Sequence, residues 1–455
     1  MAAAERAVLV CVYLNIALYA FSYQLQSPIE PYLVERLVGK TAAASTYGQL
    51  TSAFSALQTV GSLAIGVFLD KVGPRTTFVL VFLCSAWSYY LRANCTTIEG
   101  LYWSKVPALL QHAFLVAQAV IAQTVPHERR PNALGRIMTA YTVGATLGTF
   151  VGGRLGGTEG NHRAGALVAV GGSLLSVVLC VMLLPASSTD ALAGTTASSQ
   201  KSAARESSCA PGTPKHYMQV LRKAWLPLSI KFITACGVSM YTTALPLVYK
   251  NMYGASPSLL GTVMAVTMVI NAVAGLFAVG WLSSFFGERQ AIQHSTHILA
   301  LGYLFIVAAL HFRAVGSDGV TTSVYPLVCI NVALSVVGHS MATLVTSQST
   351  SLVGENDKGA VIGIEHALFS FARIASPTLG VMLMEVENTR LTWLAGACAS
   401  TALAAAALLR TFGGLMNTNP AGSTMSGGIA GGGSADDSHL AGGVYATRKR
   451  ARKAA

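Results

Sequence analysis

The sequence predicts an all-α membrane protein that crosses the bilayer about twelve times, as two pseudo-symmetric six-helix bundles. Three observations lead there. Of the 455 residues 53% are apolar and only 11% charged, with a mean hydropathy of +0.54, whereas soluble domains carry about a quarter charged residues. Apolar runs of about 20 residues, the length that spans a bilayer, recur from one end of the chain to the other. A pattern of small residues in the first half returns 228 positions later.

Taken in order, the first apolar run covers 7–29 and repeats Asn15, Tyr19 and Tyr23 at four-residue intervals, on one face of a helix. It lacks a basic start, a short apolar core and a cleavage-like site, so it reads as a retained helix. Runs at 47–69 and 76–92 follow, joined by a short polar turn. The next, 100–123, brings Gln111, His112 and Gln118 into apolar surroundings. The fifth, 132–155, is rich in glycine, and the sixth, 163–184, ends the first half. The second half repeats the plan at 225–249, 258–282, 290–312, 323–349, 359–384 and 391–411. The expected division is residues 1–185, an N-terminal six-helix bundle; 186–223, a cytoplasmic linker rich in Ser, Thr and Ala; 224–412, a C-terminal six-helix bundle; and 413–455, a Gly/Ser-rich disordered cytoplasmic tail. The tail ends in Arg448, Lys449, Arg450, Arg452 and Lys453, which fits a solvated positive end, a contact with anionic lipid or an endomembrane retrieval signal.

Within the fifth run, Gly144, Gly148, Gly152 and Gly156 fall four apart, so a helix lines them on one narrow stripe where a second backbone can lie close. Each weakens a helix by roughly 1 kcal/mol against alanine, so the stripe predicts a compensating contact. Moving on 228 positions takes Gly135 to Gly363, Gly144 to Ala372, Gly148 to Ser376, Thr149 to Pro377 and Gly152 to Gly380. That echo is the sign of two related halves.

The net charge of +12 does not point to nucleic acid, because the basic residues flank the apolar runs instead of sharing one soluble face. Arg6, Lys71, Arg75, Arg129, Arg130, Arg136, Arg289, Lys358, Arg410 and the tail cluster fall on one side, with the linker's basic residues. Arg36, Lys40, Arg92, Lys105, Arg154, Arg163, Lys250, Arg313 and Arg390 fall on the other. The excess on the first side predicts that both termini are cytoplasmic, in the plasma membrane or an endomembrane. The sequon Asn94-Cys95-Thr96 then lies outside. Eight scattered cysteines form neither a disulfide framework nor a zinc spacing. No metal, nucleotide or nucleophile motif appears, so no cofactor and no enzyme activity are expected.

The turn after the second run reads Gly66-Val67-Phe68-Leu69-Asp70-Lys71-Val72-Gly73-Pro74-Arg75. Its glycines permit a sharp reversal, and Asp70 can face a helix N-terminus or an arginine. The stretch resembles the cytoplasmic signature of the major facilitator superfamily, Gly-x-x-x-Asp-Arg/Lys-x-Gly-x-Arg. A degenerate copy runs from Gly280 to Arg289, with Ser284 in place of the acid. The resemblance implies that Gly66, Asp70, Lys71, Gly73 and Arg75 form a latch between the halves on the cytoplasmic side. Gly135, Gly144, Gly148, Gly152 and Gly153 resemble the fifth-span glycine signature of the drug/proton antiporters, with Thr149 where a proline belongs. PYLVERL at 31–37, YGQL at 47–50, HERRPNALGR at 127–136, WLSSFF at 281–286, and Arg373 with Pro377 resemble the organic cation transporter-like branch. That branch implies proton-coupled export of organic cations.

Ionisable groups inside spans are poorly tolerated and so are functional candidates. Arg373 lies near the middle of the eleventh run, with His366 and Ser370 on its face. It reads as a substrate or coupling residue, or as a structural bridge to carbonyls. Glu365, the one clearly intramembrane acid, is at a depth where it can pair with Lys231 of the seventh run and carry a proton; for Lys231 the other reading is snorkelling to the surface. In the superfamily the first, fourth, seventh and tenth spans line a central cavity. Asn15, His112, Gln118 and, on the tenth, Asn331, Ser335 and His339 supply polar stripes there, or interhelical hydrogen bonds. Lys231 and Arg373 against one acid leave anionic or zwitterionic solutes open beside the cation. The expectation is a monomeric transporter of a small organic solute working by alternating access, with protons as partner in antiport. Uniport, symport and a non-transporting sensor or scaffold are the alternatives.

Overall fold

The structure, a computed structural model, describes residues 3–125, 129–157, 161–184, 214–311, 324–354, 357–385 and 391–414. Among them every regular element is helical. The order is α1 (Ala3–Gln24), α2 (Glu30–Val38), α3 (Lys40–Ala93), α4 (Ile98–Lys105), a 3₁₀ turn (Pro107–Leu110), α5 (Ala113–Thr124), α6 (Arg130–Gly156) and α7 (His162–Leu183). The second half holds α8 (Pro214–Tyr253), α9 (Pro257–Phe286), α10 (Glu288–His311), α11 (Val324–Ser351), α12 (Lys358–Glu385) and α13 (Thr392–Phe412).

Two predicted spans run together as α3, and one is broken into α4, the 3₁₀ turn and α5. The bend in α3 falls at Gly73, whose φ of 79° only glycine adopts readily, with Pro74 next in the chain. The same turn recurs in the second half at Gly287, φ 76°, between α9 and α10. Nine helices are long and apolar enough to cross a membrane among the described residues. The two arms of α3 and the glycine-interrupted α6 complete the predicted set. Helix α8 begins inside the segment expected as linker and bends at Ala224, where the apolar run starts. Residues 185–213 of that linker, and the tail from 415 with its basic cluster, lie outside the described residues.

The halves pack alike. In the first, α6 lies on α1 and α7 on α3; in the second, α12 lies on α8 and α13 on α10. The glycine stripe explains the first of these contacts. A Cβ on Gly144, Gly148 or Gly152 would come within 2.0, 2.4 or 2.2 Å of the carbonyl oxygens of Ala17, Phe21 and Leu25, themselves four apart on α1 and its following turn. A Cβ on its echo, Gly380 of α12, would come within 2.7 Å of the backbone of Met240 on α8. Gly135, expected among the packing glycines, faces open space instead. It precedes Gly144 by nine residues, half a turn out of register with the stripe. Gly153 is one residue off the stripe and turns to the other bundle, meeting Pro257 and Gly261 of α9. Thr149, in place of a proline, bonds its hydroxyl to Ala145 O at 3.1 Å, and α6 runs unbroken. Large exposed apolar side chains such as Leu175, Phe277, Phe305 and Phe371 cover the outer faces, a surface suited to lipid.

Candidate functional site

A cavity of about 210 Å³ lies between the bundles. The first half contributes Tyr23 of α1, Gln26 and Glu30 around the α1–α2 turn, Phe54 and Arg92 of α3, and Lys105 of α4. The second contributes Thr243 of α8, Met264 of α9 and Arg373 of α12. The α1–α2 turn builds this end. Leu25 N bonds Phe21 O at 3.0 Å and Glu30 N bonds Gln26 O at 3.0 Å, so the chain bends without leaving the bundle and carries Glu30 inward.

Glu30 Oε1 there accepts from Arg92 Nη1 at 3.1 Å and from Lys105 Nζ at 2.6 Å. Arg92 is only 4% exposed, and Lys105 also lies 4.9 Å from the centre of the Phe54 ring. These three residues were absent from the sequence candidates, and Arg92 and Lys105 stood among the residues flanking spans. The first residue of α2, Glu30, meets them in the cavity, so these span-flanking charges are largely enclosed there. The structure also adds half-buried Glu30 as a second acid drawn inside, beside the buried Glu365. Arg373 enters from the opposite bundle, 5.8 Å from the ring of Phe369 on its own helix.

A separate polar cluster joins α8, α11 and α12. Lys231 Nζ pairs with Glu365 Oε2 and donates to Thr346 Oγ1 at 2.5 Å. Thr346 donates to Glu365 at 3.0 Å, and Ser349 donates to its other oxygen. Glu365 is 3% exposed, so its carboxylate is held by one cation and two hydroxyls away from solvent.

The remaining candidates are dispersed. Asn331 is buried where α8, α9 and α11 meet, accepting from Tyr241 at 3.3 Å. Ser335 accepts from Asn271 of α9 at 2.6 Å. His339 is exposed and lies over Gly275. Asn15 is fully buried in the first bundle and bonds Cys11 O of its own helix at 2.9 Å. His112 sits in the break before α5, against Gly61 of α3. Gln118 and His366 are exposed. Gln111, beside His112, does line the cavity.

Contacts between the bundles gather toward one end. Lys250 of α8 pairs with Glu35 of α2 and donates to Pro31 O at 3.1 Å, and the Tyr32 hydroxyl donates to Ala255 O. Deeper in, Ser52 of α3 and Thr378 of α12 are hydrogen-bonded at 2.8 Å, and Gly48 abuts Val381. At the opposite end, Arg75 of the expected latch donates at 2.6 Å to Val181 O of α7, in its own bundle. Lys71 there is exposed, Ser284 bonds Trp281 O of its own helix, and the surroundings of Gly66 and the side chain of Asp70 lie outside the described residues.

The family model of the Major Facilitator Superfamily matches residues 12–236 and 227–426. Solute carrier family 67 member A1 of Homo sapiens is 27% identical over 79% of this chain and 82% of its own length. Solute carrier family 22 member 18 of Mus musculus is 26% identical over 84% and 91%. Multidrug resistance protein 1 of Bacillus subtilis (strain 168) is 21% identical over 82% and 88%. Among solved structures, the peptide transporter POT in complex with sulfate superposes with a TM-score of 0.64 at 15% identity, covering 90% of this chain and 94% of the other. The human organic anion transporter MFSD10 (TETRAN) does so at 0.56 and 19%, covering 90% and 99%.

Proposed function

The chain belongs to the major facilitator superfamily as an integral, multi-pass membrane protein, and we propose that it moves a small organic solute by proton-coupled antiport through alternating access. One observation carries the reading: the bundles are locked together at the α2 end over a cavity lined by both of them. Closure at one end is the state that a rocking carrier adopts while facing the opposite side. The charge asymmetry read from the sequence assigns the closed end to the outside and both termini to the cytoplasm. Antiport draws support from the multidrug resistance relative and from the Lys231–Glu365 pair, a carboxylate enclosed within the second bundle.

The cation label implied by resemblance draws no support from the cavity. Its single carboxylate, Glu30, is already shared by two cations. The test is flux across vesicles holding the purified full chain. A pH gradient, acid on the solute-receiving side, is expected to drive accumulation of substrate solutes, and Arg373→Ala is expected to abolish it. Flux indifferent to the gradient overturns the antiport, and no flux of any solute overturns transport.

A further inference from the structure

From three cations that line one cavity against a single carboxylate, one of them supplied by the opposite bundle, we infer that this site binds the carboxylate of a small organic anion. Three cations, Arg92, Lys105 and Arg373, line the cavity against Glu30 alone. Glu30 is bonded to Arg92 Nη1 and to Lys105, which leaves the site with uncompensated positive charge. Buried charge is sustained only by a counter-charge or full hydrogen bonding.

Arg92 also holds hydrogen-bonding capacity to spare beside the cavity. Its Nε and Nη2 are buried without a hydrogen-bond partner, although the residue is only 4% exposed. These two nitrogens form the side-on edge of the guanidinium plane. Gln26, also 4% exposed and lining the same cavity, has both its amide nitrogen and its amide oxygen unpartnered. Buried polar groups are rarely left so; both sets are sealed in the wall behind the cavity surface, so they leave unspent hydrogen-bonding capacity beside it without opening onto it. Arg373 adds a second cation from the other bundle, so a bound anion bridges the halves.

The rest of the wall fits an aromatic or apolar tail. Tyr23 and Phe54 both line the cavity, with ring centroids 6.4 Å apart. The volume is below the roughly 300–1,000 Å³ of drug-sized pockets, which selects a compact acid. What the bound acid does next rests on the transport reading; its binding does not.

Benzoate, benzamide and benzamidine share one shape and differ in charge, so they test the site directly. Binding is measured by thermal shift of the full chain in lipid nanodiscs, at millimolar probe. Benzoate is expected to bind about tenfold more tightly than benzamide, with benzamidine weakest. Arg92→Gln and Arg373→Gln are each expected to bring benzoate to within about twofold of benzamide while leaving benzamide unchanged. If Arg92→Gln does not fold, Arg373→Gln decides, since Arg373 has no ion pair among the described residues. Benzamidine binding best, no order by charge, no binding of any probe, or preference retained in the folded variants overturns the inference. Charge-ordered binding without flux in vesicles sinks the transport reading and leaves the anion site standing. Flux of cations alone, without that order, does the reverse.

Discussion

Glu365 sits where an ionised carboxylate is least tolerated, and Lys231, Thr346 and Ser349 make it tolerable. Two roles are open to such a cluster, a bolt between α8, α11 and α12 or a proton carrier, and they predict different behaviour. Glu365→Gln keeps an acceptor for the hydroxyls but cannot exchange a proton, so flux that no longer responds to a pH gradient is expected if the carboxylate carries it. Unchanged coupling in reconstituted vesicles would leave only the bolt. Truncation to Glu365→Ala is expected to destabilise by about 1–3 kcal/mol in either case, because half-buried Lys231 and the Thr346 and Ser349 hydroxyls lose their shared partner. The pair was legible in the sequence, since charges stand out inside long apolar runs. Glu30, Arg92 and Lys105 were not, because each falls at the end of a run, where charge is ordinary. Only the tertiary placement of Glu30, at the start of α2, turns span-flanking charges into a cavity wall.

At the scale of elements, the glycines of α6 separate into those that pack and those that do not. Gly148→Val puts a branched side chain into the Phe21 carbonyl, already 2.4 Å from a Cβ, and α1 cannot yield without losing its own packing. A loss of at least about 3 kcal/mol is expected, read as a lower unfolding midpoint in detergent and lower yield. Gly135→Ala meets open space within a helix and is expected to stabilise by about 0.5–1 kcal/mol. Equal effects at the two positions would show that the α1–α6 contact is not what holds these glycines. Spacing alone predicted the stripe, because four-residue intervals translate directly into one face of a helix. The partner was not predictable from it, since a stripe of small residues accepts any backbone. Nor did the apolar runs foretell the break between Lys105 and Ala113. That break follows from the fit of the 3₁₀ turn against Gly61, where a Cβ would fall 1.7 Å from Leu109 O.

For the whole molecule, the question is which contacts set the balance between the two faces of the carrier. The packing of α3 on α12 and of α6 on α9 joins the bundles, with close contacts of Gly48 on Val381 and Gly153 on Pro257 toward the α2 end. Lys250 with Glu35, aided by Tyr32 on Ala255 O, is the ion pair that holds the α2 end shut. Lys250 is 9% exposed and Glu35 25%, so the pair is partly shielded from solvent and worth about 1 kcal/mol. Lys250→Ala removes the pair and the bond to Pro31 O without touching the cavity wall, and is expected to raise the population open at this end about fivefold. Ser27 lines the cavity just behind the lock, so Ser27→Cys, with native cysteines replaced, reports the opening. A membrane-impermeant maleimide added at the α2 end is expected to label it about five times faster in the Lys250→Ala background. Glu35→Gln should do the same, because either change leaves one partner without its charge. If labelling is unaffected by both, the apolar contacts of Gly48, Gly153 and Gly156 hold that end closed, and the lock is an ornament on a seam already sealed by close backbone packing.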